Sequence, residues 1–462
     1  MHSVTPPLTP TRYNSAAPVP PALHLARLDP NPGNLSPRRA DISRPCYSKG
    51  AYQLYSDFCE TGAIPEEESI QSSVAICCLK YGTPELLARF LDSGKVKNLD
   101  FSHQFIDLKS ARSLAEVLKT NKTLLRLSLS DSSFEAEGFE AVCSALEENA
   151  TLIALDLSHK PADPKYLDAV IKIVLNNKTL HALELASSGI SADTLPSLAR
   201  ALKDNRTLTR LGLGFNALGA EGAFTILKAV EDHPFLRILD LSGNGIGSAG
   251  GNSIASLLKT NSTLSEIDLA CNALESEGAI AILNAVEGNS TLRSLSLARN
   301  NMEASSARAV ALLLKNNTAL SALDLSGNHQ IFADSALDNE TIGLIAMALE
   351  NNTSVTALRL PASHSHRDSS GSRPASVWNW HQSRREDAFD RIDHVLQRNR
   401  TFDASAQKDA SLASRLFPGQ LLSLDEGRLL AGAMIMASPS TAAYEATMVE
   451  IQCCVNVLAS QT

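Results

Sequence analysis

The sequence lacks the patterns that usually carry chemistry. It has no glycine-rich phosphate loop, no G-x-S-x-G nucleophile turn, no H-E-x-x-H metal site, and no C-x-x-C pair among its 8 cysteines. Each of these patterns places a nucleophile, a base or a metal ligand at a fixed spacing. We therefore expect a non-enzymatic protein with no catalytic residues, no cofactor and no bound metal.

Other absences limit the compartment and the partners. No run of 18 apolar residues occurs, and the first residues lack the apolar core of a signal peptide. Lys and Arg number 41 against 50 Asp and Glu, and the net charge of -9 argues against nucleic acid or an anionic membrane as partner. Aromatic residues make up only 5% of the chain, so the core is expected to consist of aliphatic side chains. The sequence favours a monomeric, cytoplasmic protein with reduced thiols and a protein partner.

Composition sets off three segments outside the middle of the chain. Residues 1–45 hold ten of the 20 prolines, and we expect a disordered leader that is either a plain tail or a secretion signal. Residues 46–95 have helical patterns and are expected to form an N-terminal cap. Residues 403–462 contain two apolar helical stretches, 423–437 and 441–459, which we expect to form a helical C-terminal cap.

The middle of the chain, residues 96–402, is a repeat. Two of its later members, Val355 and Phe402, follow intervals of 35 and 47 residues, so insertions are expected near 329–338 and 363–382. An unbroken period predicts a solenoid, because each unit must bury its apolar face against the next one. The other starting residues follow one another at eight successive intervals of 28: Val96, Leu124, Leu152, Leu180, Leu208, Leu236, Leu264, Leu292 and Leu320.

Each repeat is expected to contain one strand and one helix. In one copy, Leu211 and Leu213 flank Gly212, and residues 221–231 carry apolar side chains at helical spacing. Strands that are 28 residues apart and joined by a helix must be parallel. The sequence thus predicts about ten to eleven strand–helix repeats of 28 residues.

Asparagine recurs in two registers. After the strand it occupies positions 216, 244, 272, 300 and 328, where we expect it to bond the unpaired backbone of the bend. At the helix end it precedes x-Thr-Leu, and there we expect a left-handed backbone rather than a glycosylation site. The members of this second set are Asn121, Asn149, Asn177, Asn205, Asn261 and Asn289.

The L-x-x-L-x-L-x-x-N-x-L pattern, the 28-residue period and the helical half resemble the ribonuclease-inhibitor class of leucine-rich repeats over residues 96–402. The resemblance implies an α/β horseshoe solenoid with its strands on the concave side, which acts by binding protein. The class also occurs in bacterial effectors, and the resemblance therefore suggests an effector delivered into a host cell by type III secretion. A GTPase activator, or a ubiquitin-ligase adaptor acting through residues 46–95, is the alternative. A third hypothesis places hydrolytic or ligase activity in residues 403–462.

Strand side chains between the buried leucines are the candidates for partner binding. Six of the ten side chains four positions after each first apolar residue are carboxylates, on strands about 4.8 Å apart. Like charges at this spacing repel, so local strand stability is not expected to require them. They form either a wetted sheet surface or an acidic groove for a basic partner. We call this set the central row: Asp100, Ser128, Asp156, Glu184, Gly212, Asp240, Asp268, Ser296, Asp324 and Arg359.

The full set of predicted protein-binding residues adds side chains from the strand entry, the strand exit and the second insertion. Phe215 is the only large anchor expected at the strand exit. The insertion at 363–382 contains both tryptophans and is either a recognition loop or a cover for the end of the array. The set is Arg126, Asp156, Glu184, Arg210, Phe215, Asp240, Asp268, Arg299, Asp324, Arg359, Trp378 and Trp380.

Overall fold

The structure is a computed structural model that describes residues 49–81, 83–160, 163–190, 194–328, 337–360, 392 and 394–400. The predicted leader and C-terminal cap lie outside these residues. So do both insertions, apart from residues 337–338, and with them Trp378 and Trp380. The expectations for those segments stay predictions.

Short strands alternate with helices along the described chain, and a 3-10 turn, Ala304–Ser306, precedes one helix. The strands are β1 (Asn98–Asp100), β2 (Phe105–Ile106), β3 (Arg126–Ser128), β4 (Ser133–Phe134), β5 (Ala154–Asp156), β6 (Ala182–Glu184), β7 (Arg210–Gly212), β8 (Ile238–Asp240), β9 (Glu266–Asp268), β10 (Ser294–Ser296), β11 (Ala322–Asp324) and β12 (Ala357–Arg359). The helices are α1 (Lys49–Thr61), α2 (Glu68–Tyr81), α3 (Pro84–Leu91), α4 (Leu108–Thr120), α5 (Ala136–Glu148), α6 (Pro164–Asn176), α7 (Leu195–Asp204), α8 (Gly219–Val230), α9 (Gly247–Thr260), α10 (Glu275–Glu287), α11 (Ala307–Asn316) and α12 (Leu337–Leu349).

Ten of the strands form one parallel sheet in the order β1, β3, and then β5 to β12. Leu211 of β7 pairs with Leu183 of β6 on one side and with Leu239 of β8 on the other, so neighbours are 28 residues apart. From α4 onward, each helix lies between one sheet strand and the next and packs against the helices of adjacent repeats. This arrangement confirms the predicted α/β repeat solenoid.

The core lies between the sheet and the layer of helices. In the repeat that contains β7, Leu211 and Leu213 are fully buried, and so are Ala223 and Ile226 of α8. Full burial of a leucine contributes roughly 1.5–3 kcal/mol. One repeat cannot enclose both of its own layers, so the apolar surface is buried only when repeats stack.

The asparagines after the strands link one repeat to the next through buried hydrogen bonds. Oδ1 of Asn216 accepts the N–H of Ser188, 2.9 Å away in the preceding repeat, and its Nδ2 donates to the carbonyl of Leu185 at 2.9 Å. The N–H of Asn216 in turn donates to Oδ1 of Asn244 at 3.0 Å. The same bonds recur at Asn272, Asn300 and Asn328. The predicted structural function of this ladder is confirmed.

Lys160 takes the place of asparagine in an earlier repeat of this ladder. Its buried ammonium donates to the carbonyl of Leu129, 2.5 Å away in the preceding repeat, and to Oγ of Ser132 at 2.7 Å. Burial lowers the pKa of Lys160 to about 8, against the opposing effect of Asp131 and Asp156. The position therefore requires a donor to the preceding repeat, and an ammonium supplies it.

The helix-end asparagines have a different conformation from the one expected. Asn121 lies in extended backbone, with φ -63° and ψ 135°, so the prediction of a left-handed residue is wrong. The chain turns directly into the next strand there, and Oδ1 of Asn121 accepts the N–H groups of Thr123 and Leu124 at 3.0 and 2.8 Å. Nδ2 of the next member, Asn149, donates to the carbonyl of Leu118 at 2.6 Å. The side chain, rather than a special backbone angle, ends the helix.

His233 stands in this register where the neighbouring repeats have asparagine. Its Nδ1 accepts the N–H groups of Phe235 and Leu236 at 3.3 and 3.0 Å, which reproduces the acceptor half of the asparagine. The donor half is weaker than in asparagine, because the buried Nε2 makes no hydrogen bond of normal geometry in the described part of the chain, although the backbone of Asn205 still acts on the pKa of the ring. Burial, and then the charge of Arg206, hold the pKa of His233 below its ordinary value.

We predict that His233→Asn stabilises the protein by about 1 kcal/mol, because the amide provides both the acceptor and the stronger donor. The measurement is the urea midpoint at neutral pH. The matched variant His233→Ala leaves two backbone N–H groups without an acceptor and is expected to lower the midpoint. A lower midpoint for His233→Asn contradicts the assignment of this position.

Three helices precede the first strand. The hydroxyl of Thr83 caps α3 by accepting the N–H of Leu86 at 3.4 Å, and Ser72 of α2 accepts the N–H of Asp100 in β1 at 3.0 Å. Phe58 of α1 packs edge-to-face on a phenylalanine of α3, with ring centroids 5.0 Å apart. These contacts join the helices to the first repeat, and a capping function for residues 46–95 stays a prediction. Within the described residues, no helix has the length and apolar character needed to cross a membrane.

Candidate functional site

The face of the ten-stranded sheet brings most of the predicted binding residues together. Backbone pairing places Glu184 beside Asp156 and Gly212, and it places Asp240 beside Asp268, so the central row runs in register across the strands. The sheet residues of the set are Arg126, Asp156, Glu184, Arg210, Asp240, Asp268, Asp324 and Arg359. Phe215 and Arg299 follow β7 and β10 at the strand exits, separate from the sheet itself.

Five carboxylates of the central row contribute to local structure. In each case Oδ1 accepts the backbone N–H two residues later, at 2.8–2.9 Å, where the chain leaves the strand. The sequence analysis did not predict this hydrogen bond, in which the short side chain satisfies a backbone donor at the bend. It requires an acceptor oxygen, not a charge. The residues are Asp100, Asp156, Asp240, Asp268 and Asp324.

Glu184 and Arg210 form an ion pair within the sheet face. Nε of Arg210 donates to Oε1 of Glu184 at 2.5 Å, and the two side chains are only 9% and 12% exposed. Glycine at position 212 makes this possible, since a Cβ there would lie 1.6 Å from Oε2 of Glu184. Both residues of the pair were predicted to contact a partner directly, but they are largely occupied by each other.

Burial and crowding of like charges raise the pKa of two carboxyls. Burial raises the pKa of Glu184 to about 7, although Arg210 opposes this effect. Burial, followed by the neighbouring Asp240, raises the pKa of Asp268 to about 6. The folded protein thus holds these carboxylates in an environment that disfavours their ionised form.

The raised pKa values predict that stability falls as the pH rises from about 4 to 7. In this window the folded protein binds more protons at Asp268 and Glu184 than the unfolded chain does, so deprotonation favours unfolding. Asp268→Asn keeps an oxygen for the Ala270 N–H but cannot ionise. We expect it to raise the free energy of unfolding near pH 7.5 by about 1–2 kcal/mol and to flatten the pH slope, because one pKa unit is worth about 1.4 kcal/mol and residual exposure reduces the effect.

Urea denaturation at about pH 4.5 and pH 7.5 measures this slope. Asp100→Asn is the matched control, because this exposed residue bonds the backbone in the same way but lies at the end of the row. An Asp268→Asn protein with an unchanged pH slope shows that crowding of carboxylates does not affect stability.

The residue that directly follows the strand exit has a left-handed backbone in every repeat from β1 to β11. We call this set the exit row: His103, Asp131, His159, Ser187, Phe215, Gly243, Cys271, Arg299 and Gly327. Phe215 is 43% exposed and its ring lies over Gly243, where a Cβ would come within 2.4 Å of the ring. The stem of Arg299 covers Gly327 in the same way.

The acidic and basic groups of the face are unevenly paired. Arg359 donates to Asp324 at 3.2 Å near the last strand, and Nε of Arg126 is buried without a hydrogen-bond partner among the described residues. On β8 and β9 lie Asp240, Glu266 and Asp268, which we call the acidic trio. No cation in the described ranges forms an ion pair with the trio. Excess negative charge is therefore concentrated on two adjacent strands.

Metal-binding geometry does not occur in the described part of the chain, where no group of three or more His, Cys, Asp or Glu side chains is placed to hold an ion. The carboxylates of the central row are spread along a line across the strands, whereas ligands for a cation must converge on one point. The chemistry available on this face is therefore charge pairing, hydrogen bonding and contact with Phe215.

The repeat geometry agrees with a comparison against known families. Four stretches match the Leucine Rich repeat family, at residues 204–227, 232–255, 260–283 and 288–311. The chain therefore contains leucine-rich repeats. Proteins with such arrays are generally protein-interaction modules. A comparison of this leucine-rich repeat protein with curated proteins finds no match.

Solved structures also resemble this leucine-rich repeat protein, but weakly. The leucine-rich repeat-containing protein LegL7 from Legionella pneumophila is 18% identical with a TM-score of 0.42, and the match covers 61% of this chain and 88% of that one. Rad7, from a yeast complex with Elc1, is 16% identical with a TM-score of 0.33, over 67% of this chain and 87% of that one. The actin-binding site 2 of leiomodin-1 is 19% identical with a TM-score of 0.29, over 33% and 89%. Similarity at this level does not bear on function.

Three glycines shape the face, and their importance was not predicted. Gly212 admits Glu184, Gly214 lies under the carboxylate of Asp240, and Gly243 lies under the ring of Phe215. The available signal was the glycine itself, at positions where neighbouring repeats have larger side chains. Sequence spacing showed that these positions are on the surface. It did not show that a side chain from a neighbouring repeat would occupy the space beside each glycine.

Proposed function

We propose that this leucine-rich repeat protein is a non-catalytic scaffold that binds a basic segment of a protein partner on its sheet face. The observation that carries the proposal is the acidic trio of Asp240, Glu266 and Asp268. Its carboxylates lie on adjacent strands and lack a cation among the residues that the structure describes. Elsewhere on the face, Glu184 and Asp324 do have one, at Arg210 and Arg359.

The alternative is that the acidic side chains only keep an exposed sheet hydrated. Two features favour a partner. The raised pKa of Asp268 means that its ionised form is held at a cost in the free protein, and a nearby cation would remove that cost. The trio also lies next to small residues on β10, Ser294 and Ser296, so a partner can approach the carboxylates closely from that side.

A photo-crosslinking residue placed at Ser294 on the sheet face tests the proposal against the same residue at Ser256 on the exposed side of α9. We expect a protein adduct from cell lysate at Ser294 that weakens at high salt, since exposed ion pairs are screened. The triple variant Asp240→Asn, Glu266→Gln and Asp268→Asn is expected to reduce the yield of the Ser294 adduct at least fivefold, because complementary charges speed association and favour the right partner.

The matched control removes the same charge from the helical side by Glu116→Gln, Glu140→Gln and Glu148→Gln, at three exposed carboxylates of α4 and α5. An equal loss of adduct in this control shows that net charge, not the sheet face, governs association. Adducts at Ser256 alone place the interaction on the helices and overturn the proposal.

We also propose that the protein acts as an effector inside a host cell, on the basis of the sequence resemblance and the proline-rich residues 1–45. Fusion of residues 1–45 to a reporter enzyme is expected to direct it through a type III secretion system, because such leaders require an unfolded, extended segment. The control is a fusion of residues 46–90. Secretion of full-length protein that survives deletion of residues 1–45 contradicts this assignment.

A further inference from the structure

The side chains of Asp240 and Phe215 lie at the ends of the adjacent strands β7 and β8, and each extends over a glycine of the other strand's repeat. The Asp240 carboxylate leans over Gly214, where a Cβ would lie 3.4 Å from both of its oxygens. The Phe215 ring leans the other way, over Gly243, at 2.4 Å from the position of a Cβ. Because Phe215 directly follows Gly214, the carboxylate and the ring border the same short stretch of chain.

Asp240 presents one committed and one available oxygen at this place. Its Oδ1 accepts the N–H of Ser242 at 2.8 Å, which fixes the orientation of the carboxylate. No hydrogen bond or ion pair to Oδ2 occurs within the described ranges. A partner group that donates to Oδ2 therefore meets a carboxylate that is already oriented.

Phe215 presents an aromatic surface beside this carboxylate. Its backbone is held at φ 57° by the bend that every repeat shares, and its side chain remains 43% exposed. An exposed aromatic face attracts cations through its quadrupole, and a guanidinium can stack flat on it while its N–H groups point outward in the plane. An ammonium is a compact, strongly hydrated charge that cannot stack and donate sideways in this way.

The surroundings favour a cation over any other polar group. Glu266 and Asp268 on β9 extend the negative charge from Asp240, and the pKa of Asp268 is raised partly by Asp240 itself. The nearest arginine of the face, Arg210, is bonded to Glu184 and is only 9% exposed. The site thus combines an oriented carboxylate, an aromatic ring and excess negative charge.

We propose that Asp240 and Phe215 together bind an arginine side chain of the protein partner. The guanidinium stacks on the ring of Phe215 and donates a hydrogen bond to Oδ2 of Asp240. Gly214 and Gly243 allow the carboxylate and the ring to take these positions, since a Cβ at either glycine would lie against them. This inference rests on the proposed function of the sheet face, since it identifies the residue type by which that face recognises its partner.

Fluorescence anisotropy with labelled hexa-arginine, hexalysine and hexacitrulline peptides tests the inference on the full chain. We expect hexa-arginine to bind more tightly than hexalysine by roughly threefold to fivefold, in line with cation–π stacking at an exposed site, and hexacitrulline to bind least. Phe215→Leu keeps an apolar side chain but removes the ring, and it should abolish the preference for arginine over lysine.

Asp240→Asn is expected to weaken hexa-arginine binding at least threefold, while its amide oxygen still accepts the Ser242 N–H and preserves the bend. Asp100→Asn, which removes the same charge at the far end of the row, should leave the affinity within twofold. Equal losses in the Asp100 and Asp240 variants mean that only long-range charge acts. An arginine preference that persists in Phe215→Leu overturns the stacking arrangement.

The outcome also separates this inference from the function on which it rests. If crosslinks from Ser294 remain sensitive to the acidic trio but the peptides show no arginine preference, the sheet face binds its partner without the proposed arginine site. If the crosslinks arise only from Ser256, the sheet face is not the binding surface, whatever the peptide affinities are.

Discussion

The structure depends on the hydrogen bonds that pass from repeat to repeat at the strand exit. There the backbone leaves the sheet, and its buried N–H and carbonyl groups lose their ladder partners. Asn216 bonds both kinds of group in the preceding repeat, and its own N–H bonds Asn244 in the next. Since every repeat completes the hydrogen bonding of its neighbour, a residue inserted or deleted at this bend would disturb two repeats at once.

The requirement at each of these positions is for a hydrogen-bonding function, not for one amino acid. Lys160 donates to the preceding repeat through an ammonium, and Ser188 does so through its hydroxyl, which reaches the carbonyl of Leu157 at 3.2 Å. Each substitution has a different consequence. The ammonium loses hydration, which is why the pKa of Lys160 falls to about 8. The shorter serine reaches only one carbonyl group of the preceding repeat, that of Leu157.

The period of the sequence predicted the features that depend on contacts between adjacent repeats. These are the parallel strands, their register and the buried leucines. It failed where the result depends on side-chain length and direction. Asp240 and Glu184 occupy equivalent positions, yet the shorter side chain folds back on its own backbone while the longer one crosses Gly212 to Arg210. Left-handed backbone was expected at Asn121, because asparagine tolerates it, but Asn121 is extended. The left-handed residue is at the strand exit, where the bend imposes this conformation even on Phe215, a residue that rarely adopts it.

Repeat stacking accounts for most side chains of the array, but it does not account for the distribution of charge on the sheet face. The acids at β6–β7 and at β11–β12 are neutralised within the face, by Arg210 and Arg359. On β8 and β9 the equivalent positions hold Asp240, Glu266 and Asp268 without a described cation, although burial, and then the neighbouring Asp240, raises the pKa of Asp268. Aspartate at the bend could be asparagine and still accept the backbone N–H, so the hydrogen bond does not explain the charge. A cation brought by a partner explains both the charge and its cost to the free protein.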